Sequence, residues 1–431
     1  MLSKNISVGP QGNLIFAGYN TVELAKKYGT PLYLMDETMI RERMRTYKTA
    51  MAEFFSNGSV PEYASKAFSC KRIYEIAKEE GINVDVVSPG EMYTAYKAGF
   101  PMERVFFHGN NKTDSDIEFA VNLGVGCFVV DSLDEIMAIN TIAAKKGIKQ
   151  KIMMRVTPGI DPHTHKKIST GSVESKFGIA IETGDAMSTV KKCLELDNVS
   201  LHGFHCHIGS QIFKSEPFVT AAEIMVSFMA DVRETTGFTA DTLNLGGGFG
   251  VKYTEKDPHI DYRERIREVA DKMSEICGSK KFPMPKVLME PGRSLVADAG
   301  MTLYTVGGVK EIKGYRNYVS IDGGMADNPR YALYESEYTV YNATNAADEP
   351  DYIATIAGRC CESGDLIQED VKIKKPVRGE ILAVATTGAY NYSMASNYNR
   401  IARPPVVMLT ENGDYLAVKR ESLDDLISLD I

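Results

Sequence analysis

The sequence contains no apolar run of transmembrane length and no basic-then-apolar opening segment, so neither a membrane-spanning helix nor a secretory leader is expected. It carries no excess of positive charge. The formal net charge of -8 argues against nucleic acid and anionic membrane surfaces as partners. It also lacks a cysteine framework: seven cysteines are scattered, and the one adjacent pair, Cys360–Cys361, is poorly placed to bridge. Reduced thiols and a cytoplasmic home are therefore expected. No internal repeat or low-complexity block stands out. What is present is an ordinary globular mixture, 44% hydrophobic and 25% charged, in 431 residues, a length that suits two domains.

From about Tyr63 to Gly292, short β-rich runs alternate with helical, charge-flanked ones. The strand candidates are "EYASK" (62–66), "NVDVVS" (83–88), "RVFFHG" (104–109), "CFVVD" (127–131), "KIMMRV" (151–156), "LHGFHCHIG" (201–209), "TLNLGGG" (242–248) and "KVLMEPG" (286–292). Between them lie helical stretches such as "CKRIYEIAKEE" and "YRERIREVADKMSEIC". Strand–helix alternation with right-handed crossovers builds a parallel sheet. Eight such units point to a closed (β/α)8 TIM barrel, although an open doubly wound sheet reads similarly. After Gly300 the texture changes to strand-like runs separated by turns, as in "TLYTVGGVKEI" and "EILAVATTGAY". The expectation is α/β plus all-β: a barrel over 36–300, and a β domain of sandwich or barrel type built from 1–35 and 301–431.

Chemistry in a TIM barrel collects at the C-terminal ends of its strands. Those ends carry Lys66, Asp85 with Ser88, His108, Asp131, Arg155, His205 and His207, Gly246 to Gly248, and Glu290 to Arg293. "GGGFG" after strand seven and "EPGR" after strand eight occupy the positions where this fold usually binds phosphate, because glycine lets backbone N–H groups approach an anion. Glycines also serve ordinary tight turns. Lys66 stands in "YASKA" with no other charge beside it. A lysine desolvated in a barrel mouth suits imine chemistry, whereas an isolated lysine is more commonly a salt-bridged or snorkelling one. A lysine, a phosphate cradle and an acid together match a pyridoxal phosphate site, with the acid paired to the pyridine nitrogen.

The stretch "HCHIGSQ" (205–211) leaves two readings open. If the strand continues through it, His205 and His207 share a face, which fits a zinc pair or a ring-stacking wall. A zinc hydrolase would want its His-x-His pair on the first strand and further histidines on later ones, so the metal reading is the weaker. His207 then lies against a cofactor ring, Ser210 offers its hydroxyl to phosphate, and His205 is a hydrogen-bonded barrel residue.

"YASKA", "HGNNK", "DPHTH", "SKFGI", "HCHIGSQ", "GGGFG" and "EPGR" resemble the fold-type III pyridoxal phosphate decarboxylases, most closely those acting on diaminopimelate. "DGGMADNPRYALY", "CESGD" and "TTGAYNYSMASNYN" extend the likeness over nearly the whole chain. The resemblance implies an alanine-racemase-like barrel plus β domain, pyridoxal 5'-phosphate as cofactor, meso-diaminopimelate as substrate, L-lysine and carbon dioxide as products, and a homodimer with shared active sites. It implies no metal.

By motif, Lys66 would hold the cofactor and His207 would stack on its ring. Ser210, Gly247 and Gly248 would bind phosphate beside the segment Glu290, Pro291, Gly292, Arg293, and Glu290 would pair with the ring nitrogen. Arg293, Arg330, Tyr334, Glu362 and Tyr390 match substrate-contacting positions, Tyr390 also touching the phosphate. Cys361 matches a proton donor supplied by the partner subunit; a free cysteine is otherwise more often a small buried hydrophobe. Three departures from the usual pattern, Pro89 in "VVSPGE", "RIARPPVVM" and "NATNAADEP", touch none of these residues. The rivals are a related decarboxylase of ornithine, arginine, carboxynorspermidine or a D-amino acid, a non-enzymatic relative, and a zinc-dependent barrel hydrolase. Retention of both Lys66 and Cys361 speaks against the second.

Overall fold

Two kinds of periodicity divide the chain, and each builds its own unit. The computed structural model describes residues 1–55, 58–160 and 175–431, so the "DPHTH" stretch lies outside the described residues. Contacts separate one unit of Met1–Arg41, Val251–His259 and Leu295–Ile431 from another of Glu42–Gly250 and Ile260–Ser294. Val251–His259 thus joins the sheet-rich unit, although the strand–helix alternation runs straight through it. Among the described residues no helix is long and apolar enough to cross a membrane.

In the second unit eight parallel strands close on themselves. They are β1 (Val60–Ala64), β2 (Asn83–Val86), β3 (Val105–Phe107), β4 (Cys127–Val130), β5 (Gln150–Thr157), β6 (Val199–His205), β7 (Thr242–Asn244) and β8 (Lys286–Met289). Each pairs with its neighbours in the chain, and β8 returns to pair with β1. The expected TIM barrel is present. Its helices begin and end where local chemistry dictates. Thr113 and Asp116 form a capping box for the helix Asp114–Leu123, and Gly124, at φ 76°, takes the left-handed conformation that ends it. Pro89, the departure from the familiar pattern, occupies the first turn of the helix Pro89–Lys97, where its missing N–H costs nothing, and Ser88 caps that helix.

The barrel interior changes character over a two-residue step. Cys127, Val129, Met153 and Leu288 form a buried apolar cluster, with Val60 and Phe106 packed against it. Strand side chains repeat on one face every second residue. On that face Glu62 follows Val60 on β1 and Arg155 follows Met153 on β5, while His108, Asp131 and Glu290 are each the first residue past the end of β3, β4 and β8. All five are buried. The apolar layer floors a charged one at the C-terminal end. "HGNNK" serves the same end of the barrel: Lys112 spends its three N–H bonds on Gly109 O, Val129 O and Glu135 Oε1, at 2.9, 2.7 and 2.6 Å.

The other unit is built on sheets. The long strand Gly300–Ile312 pairs through its first residues with Leu32–Asp36 and Ile381–Ala385, and through its second half with Arg316–Ile321. Leu32–Asp36 in turn pairs with Val406–Thr410. A core of Leu14, Phe16, Leu32, Leu34, Met301, Leu303, Val407 and Leu409 joins the first and last parts of the sequence.

Candidate active site

Lys66 follows β1 on a short 3-10 turn, Ser65–Ala67, that packs against the segment after β8. A Cβ on Gly292 would stand 3.1 Å from Ala64 Cβ and 3.2 Å from Ala67 Cβ, and Ala64 N–H donates to Pro291 O at 3.1 Å. The lysine and the Glu290–Arg293 segment are thereby brought to one place. Lys66 itself is exposed between buried neighbours, which corrects the expectation of a desolvated lysine. Its charge favours the ionised forms of Asp85 and Glu290 and the neutral form of His207.

The strand carrying the two histidines stops at His205, so the shared-face argument does not reach His207. His205 is fully buried, with Nε2 at 2.9 Å from Glu290 Oε1. His207 is half-buried, and its Nδ1 accepts the N–H of Gly247 at 3.2 Å, which places the ring proton on Nε2. Desolvation, then the charges of Lys66 and Arg155, keep its imidazole well below the usual range and therefore neutral. The glycines are required by close approach. A Cβ on Gly247 would meet Glu290 O at 2.0 Å, and one on Gly248, at φ 126°, would meet Gly209 O at 2.4 Å. Ser210 Oγ accepts from buried Arg293, at 3.0 Å from Nη2 and 3.3 Å from Nε. A guanidinium, a hydroxyl and a glycine cradle form a donor set suited to a phosphate.

Glu290 is held from behind. Its Oε1 receives Asn244 Nδ2 at 2.8 Å, with His205 Nε2 at 2.9 Å and His108 Nε2 at 3.3 Å, both off the line of a good hydrogen bond. Burial pushes its carboxyl up to about 7, against the opposing pull of Lys66, Arg155 and the Asn244 hydrogen bond. Among the described residues no Lys or Arg forms an ion pair with it. A protonated ring nitrogen would provide the missing cation, so the site fits pyridoxal phosphate. His108, His205 and Glu290 also place ligand-type atoms within 4.8 Å of one another, which gives the zinc alternative a definite location that does not include His207. Glu62 and Asn244 were not picked out as site residues from the sequence. Their signal there is a polar side chain on a short strand beside buried apolar residues.

This carboxyl has a measurable consequence. A folded-state value above the unfolded 4.5 means that the folded chain binds more protons between the two. Its stabilising contribution is full below 4.5 and is lost as pH rises through about 7. His108, His205 and His207, depressed below 6.5, act in the opposite direction as pH falls below that value. In melts of the cofactor-free protein, Glu290→Gln should therefore gain Tm relative to wild type as pH rises from about 6.5 to about 8.5. A constant difference across that range would show that Glu290 is ionised throughout.

In the sheet-rich unit, Arg330 and Tyr334 bracket the one-turn helix Arg330–Tyr334. The Arg330 guanidinium lies 5.1 Å from the Tyr334 ring centroid and 5.3 Å from that of Tyr390. Arg330 is buried, its Nε has no hydrogen-bond partner, and it forms no ion pair among the described residues. Three of the five predicted substrate residues thus meet around one guanidinium lacking a counter-ion. Cys361 and Glu362 are exposed in the loop after the strand Tyr352–Ala357, and Cys361 N–H donates to Asn399 Oδ1 at 2.6 Å.

Comparisons with known proteins point the same way. Residues 37–297 match the family described as pyridoxal-dependent decarboxylase, pyridoxal binding domain. Diaminopimelate decarboxylase of Halalkalibacterium halodurans is 47% identical over 428 residues, 98% of this chain and 96% of that protein. The Bacillus subtilis diaminopimelate decarboxylase is 45% identical over 423 residues, covering 97% and 95%. The crystal structure of diaminopimelate decarboxylase from M. jannaschii in complex with L-lysine superposes with a TM-score of 0.92 at 35% identity, covering 99% of this chain and 98% of that one.

Proposed function

This chain belongs to the diaminopimelate decarboxylase family of the pyridoxal-dependent decarboxylases, and from that membership we propose that it converts meso-diaminopimelate to L-lysine and carbon dioxide, the last step of lysine biosynthesis. The observation that carries the substrate reading is Arg330, a buried guanidinium with an unpartnered Nε flanked by Tyr334 and Tyr390. Such a group calls for a carboxylate. Diaminopimelate presents one at the end remote from the reaction, together with an ammonium that Glu362 would accept.

Lys66 is the amine that would hold the cofactor. Arg293, Ser210 and the Gly247–Gly248 backbone would take its phosphate with Tyr390, His207 would face its ring, and Glu290 would pair with the ring nitrogen beside Pro291 and Gly292. When bound, pyridoxal phosphate supplies the electron sink that makes loss of the carboxylate possible. The barrel residues within 36–300 bind the cofactor, while 1–35 and 301–431 bring the substrate residues and, through Cys361, the proton that replaces carbon dioxide. Arg293 also faces the substrate. The working assembly is a homodimer in which Cys361 serves the partner's cofactor, by analogy with the family. A cytoplasmic location accords with seven cysteines that are all free.

A substrate panel scored for carbon dioxide release tests the reading. Turnover is expected on meso-diaminopimelate, with L-lysine and L-ornithine largely ignored, because either leaves the Arg330 charge buried and unpaired. Arg330→Ala should lower kcat/KM for diaminopimelate by roughly 30- to 1,000-fold, about 2–4 kcal/mol, while cofactor absorbance stays unchanged. Comparable rates on L-ornithine would replace the diacid reading with a broad basic amino-acid decarboxylase.

A further inference from the structure

Behind Glu290 lies a second carboxyl that the proposed chemistry does not use. Glu62, on β1, is fully buried, and its Oε2 accepts an N–H from Asn244 Nδ2 at 3.0 Å. The same nitrogen donates to Glu290 Oε1 at 2.8 Å. Asn244 cannot reverse its amide without loss, because its Oδ1 accepts the N–H of Gly246 at 2.8 Å. One NH2 group therefore bridges two buried carboxyls.

The charges nearby do not balance if every acid is ionised. Glu62, Asp85, Asp131 and Glu290 share the layer with buried Arg155 and with Lys66 at its rim. The groups that face Glu62 are Asn83 and Asp85 from β2, Cys127 from β4, Asn244 from β7, Lys286 from β8 and Glu290 just after it. Lys286 is the one cation among them, and it forms no ion pair with Glu62 among the described residues. Glu62 Oε1 makes no well-formed hydrogen bond, and the Asn83 side chain and Lys286 oppose protonation of Glu62 less strongly than burial favours it.

We infer that Glu62 is a neutral carboxylic acid which, through Asn244, acts as a positioning residue for Glu290, tying down Oε1 and leaving Oε2 as the oxygen available to the cofactor. This rests on the proposed role of Glu290. Burial, then the like charges of Glu290 and Asp85, favour the protonated form of Glu62. Neutrality matters because an ionised Glu62 would oppose ionisation of Glu290 across the shared amide, and Glu290 is the group that must carry the charge.

The test uses the full chain without cofactor, so its outcome does not depend on the cofactor assignment. An infrared difference spectrum of wild type minus Glu62→Gln should show the C=O stretch of a protonated carboxylic acid, unchanged over the range where Glu290 titrates. Glu62→Gln has the shape of the neutral acid and should leave the Glu290 midpoint within about 0.5 unit. In the loaded enzyme Glu62→Leu, which removes the acceptor, should lower kcat roughly tenfold with KM for diaminopimelate little changed, and Glu62→Gln should restore most of that loss. Absence of the protonated-acid band, or a Glu290 midpoint displaced by Glu62→Gln, overturns the inference. Failure here leaves the cofactor assignment intact, since that stands or falls on covalent labelling of Lys66.

Discussion

Borohydride reduction of the cofactor-loaded protein should fix the pyridoxyl group on Lys66 and on no other lysine, and Lys66→Ala should lower kcat on the order of 10^3-fold or more. The expectation follows from placement. The turn Ser65–Ala67 delivers this side chain, exposed, onto a rim whose other members are Glu290, Arg293 and the glycine loop. Its charge favours a charged Glu290 and a neutral His207, so the lysine is electrostatically coupled to the groups proposed to serve the cofactor. Peptide mapping after reduction identifies the modified residue, and loss of the visible absorbance band in Lys66→Ala provides the control. An adduct on a different lysine sinks the assignment. So does stoichiometric zinc in cofactor-free protein, which would identify His108, His205 and Glu290 as a metal site instead.

Most of the barrel was legible because its signals are local. Strand and helix alternate, Thr113 and Asp116 box one helix start, and the segments after β7 and β8 fall where this fold binds anions. Strand ends were less legible. β1 stops at Ala64 and β6 at His205, so Lys66 and His207 stand beyond the pleat, and alternation says nothing about where they point. Glu62 and Asn244 went unread for a different reason. In "VPEYA" and "TLN" Glu62 and Asn244 look like solvent-facing positions of an alternating strand. Only barrel closure shows that they face inward above an apolar floor. The sheet-rich unit was legible as strands and not as a sheet. Placing Leu32–Asp36 between Gly300–Ile312 and Val406–Thr410 joins residues hundreds of positions apart, and no local propensity encodes that. The proposed substrate cluster is half local: Arg330 and Tyr334 are four residues apart on one turn, whereas Tyr390 reaches them through the fold.

Cys361→Ala should keep the cofactor absorbance and lose most turnover, on the order of 10^2- to 10^4-fold, the usual weight of a positioned acid. Of the seven cysteines, Cys361 alone is exposed. Its neighbour Cys360 is buried, with its thiol pushed up to about 11, so the pair is not two equivalent donors. Cys361 and Lys66 belong to different units of the chain, and the proposed dimer assigns them to one site across two subunits. That assignment has a numerical consequence. In a mixture of Cys361→Ala with Lys66→Ala subunits, random exchange makes about half the dimers mixed, and each mixed dimer holds one intact site, so roughly a quarter of wild-type specific activity should return. Each variant alone remains inactive, which makes the recovered signal unambiguous. Should the mixture stay inactive after mass spectrometry has shown that the subunits exchanged, Cys361 does not act on its partner's cofactor, and the shared site is withdrawn.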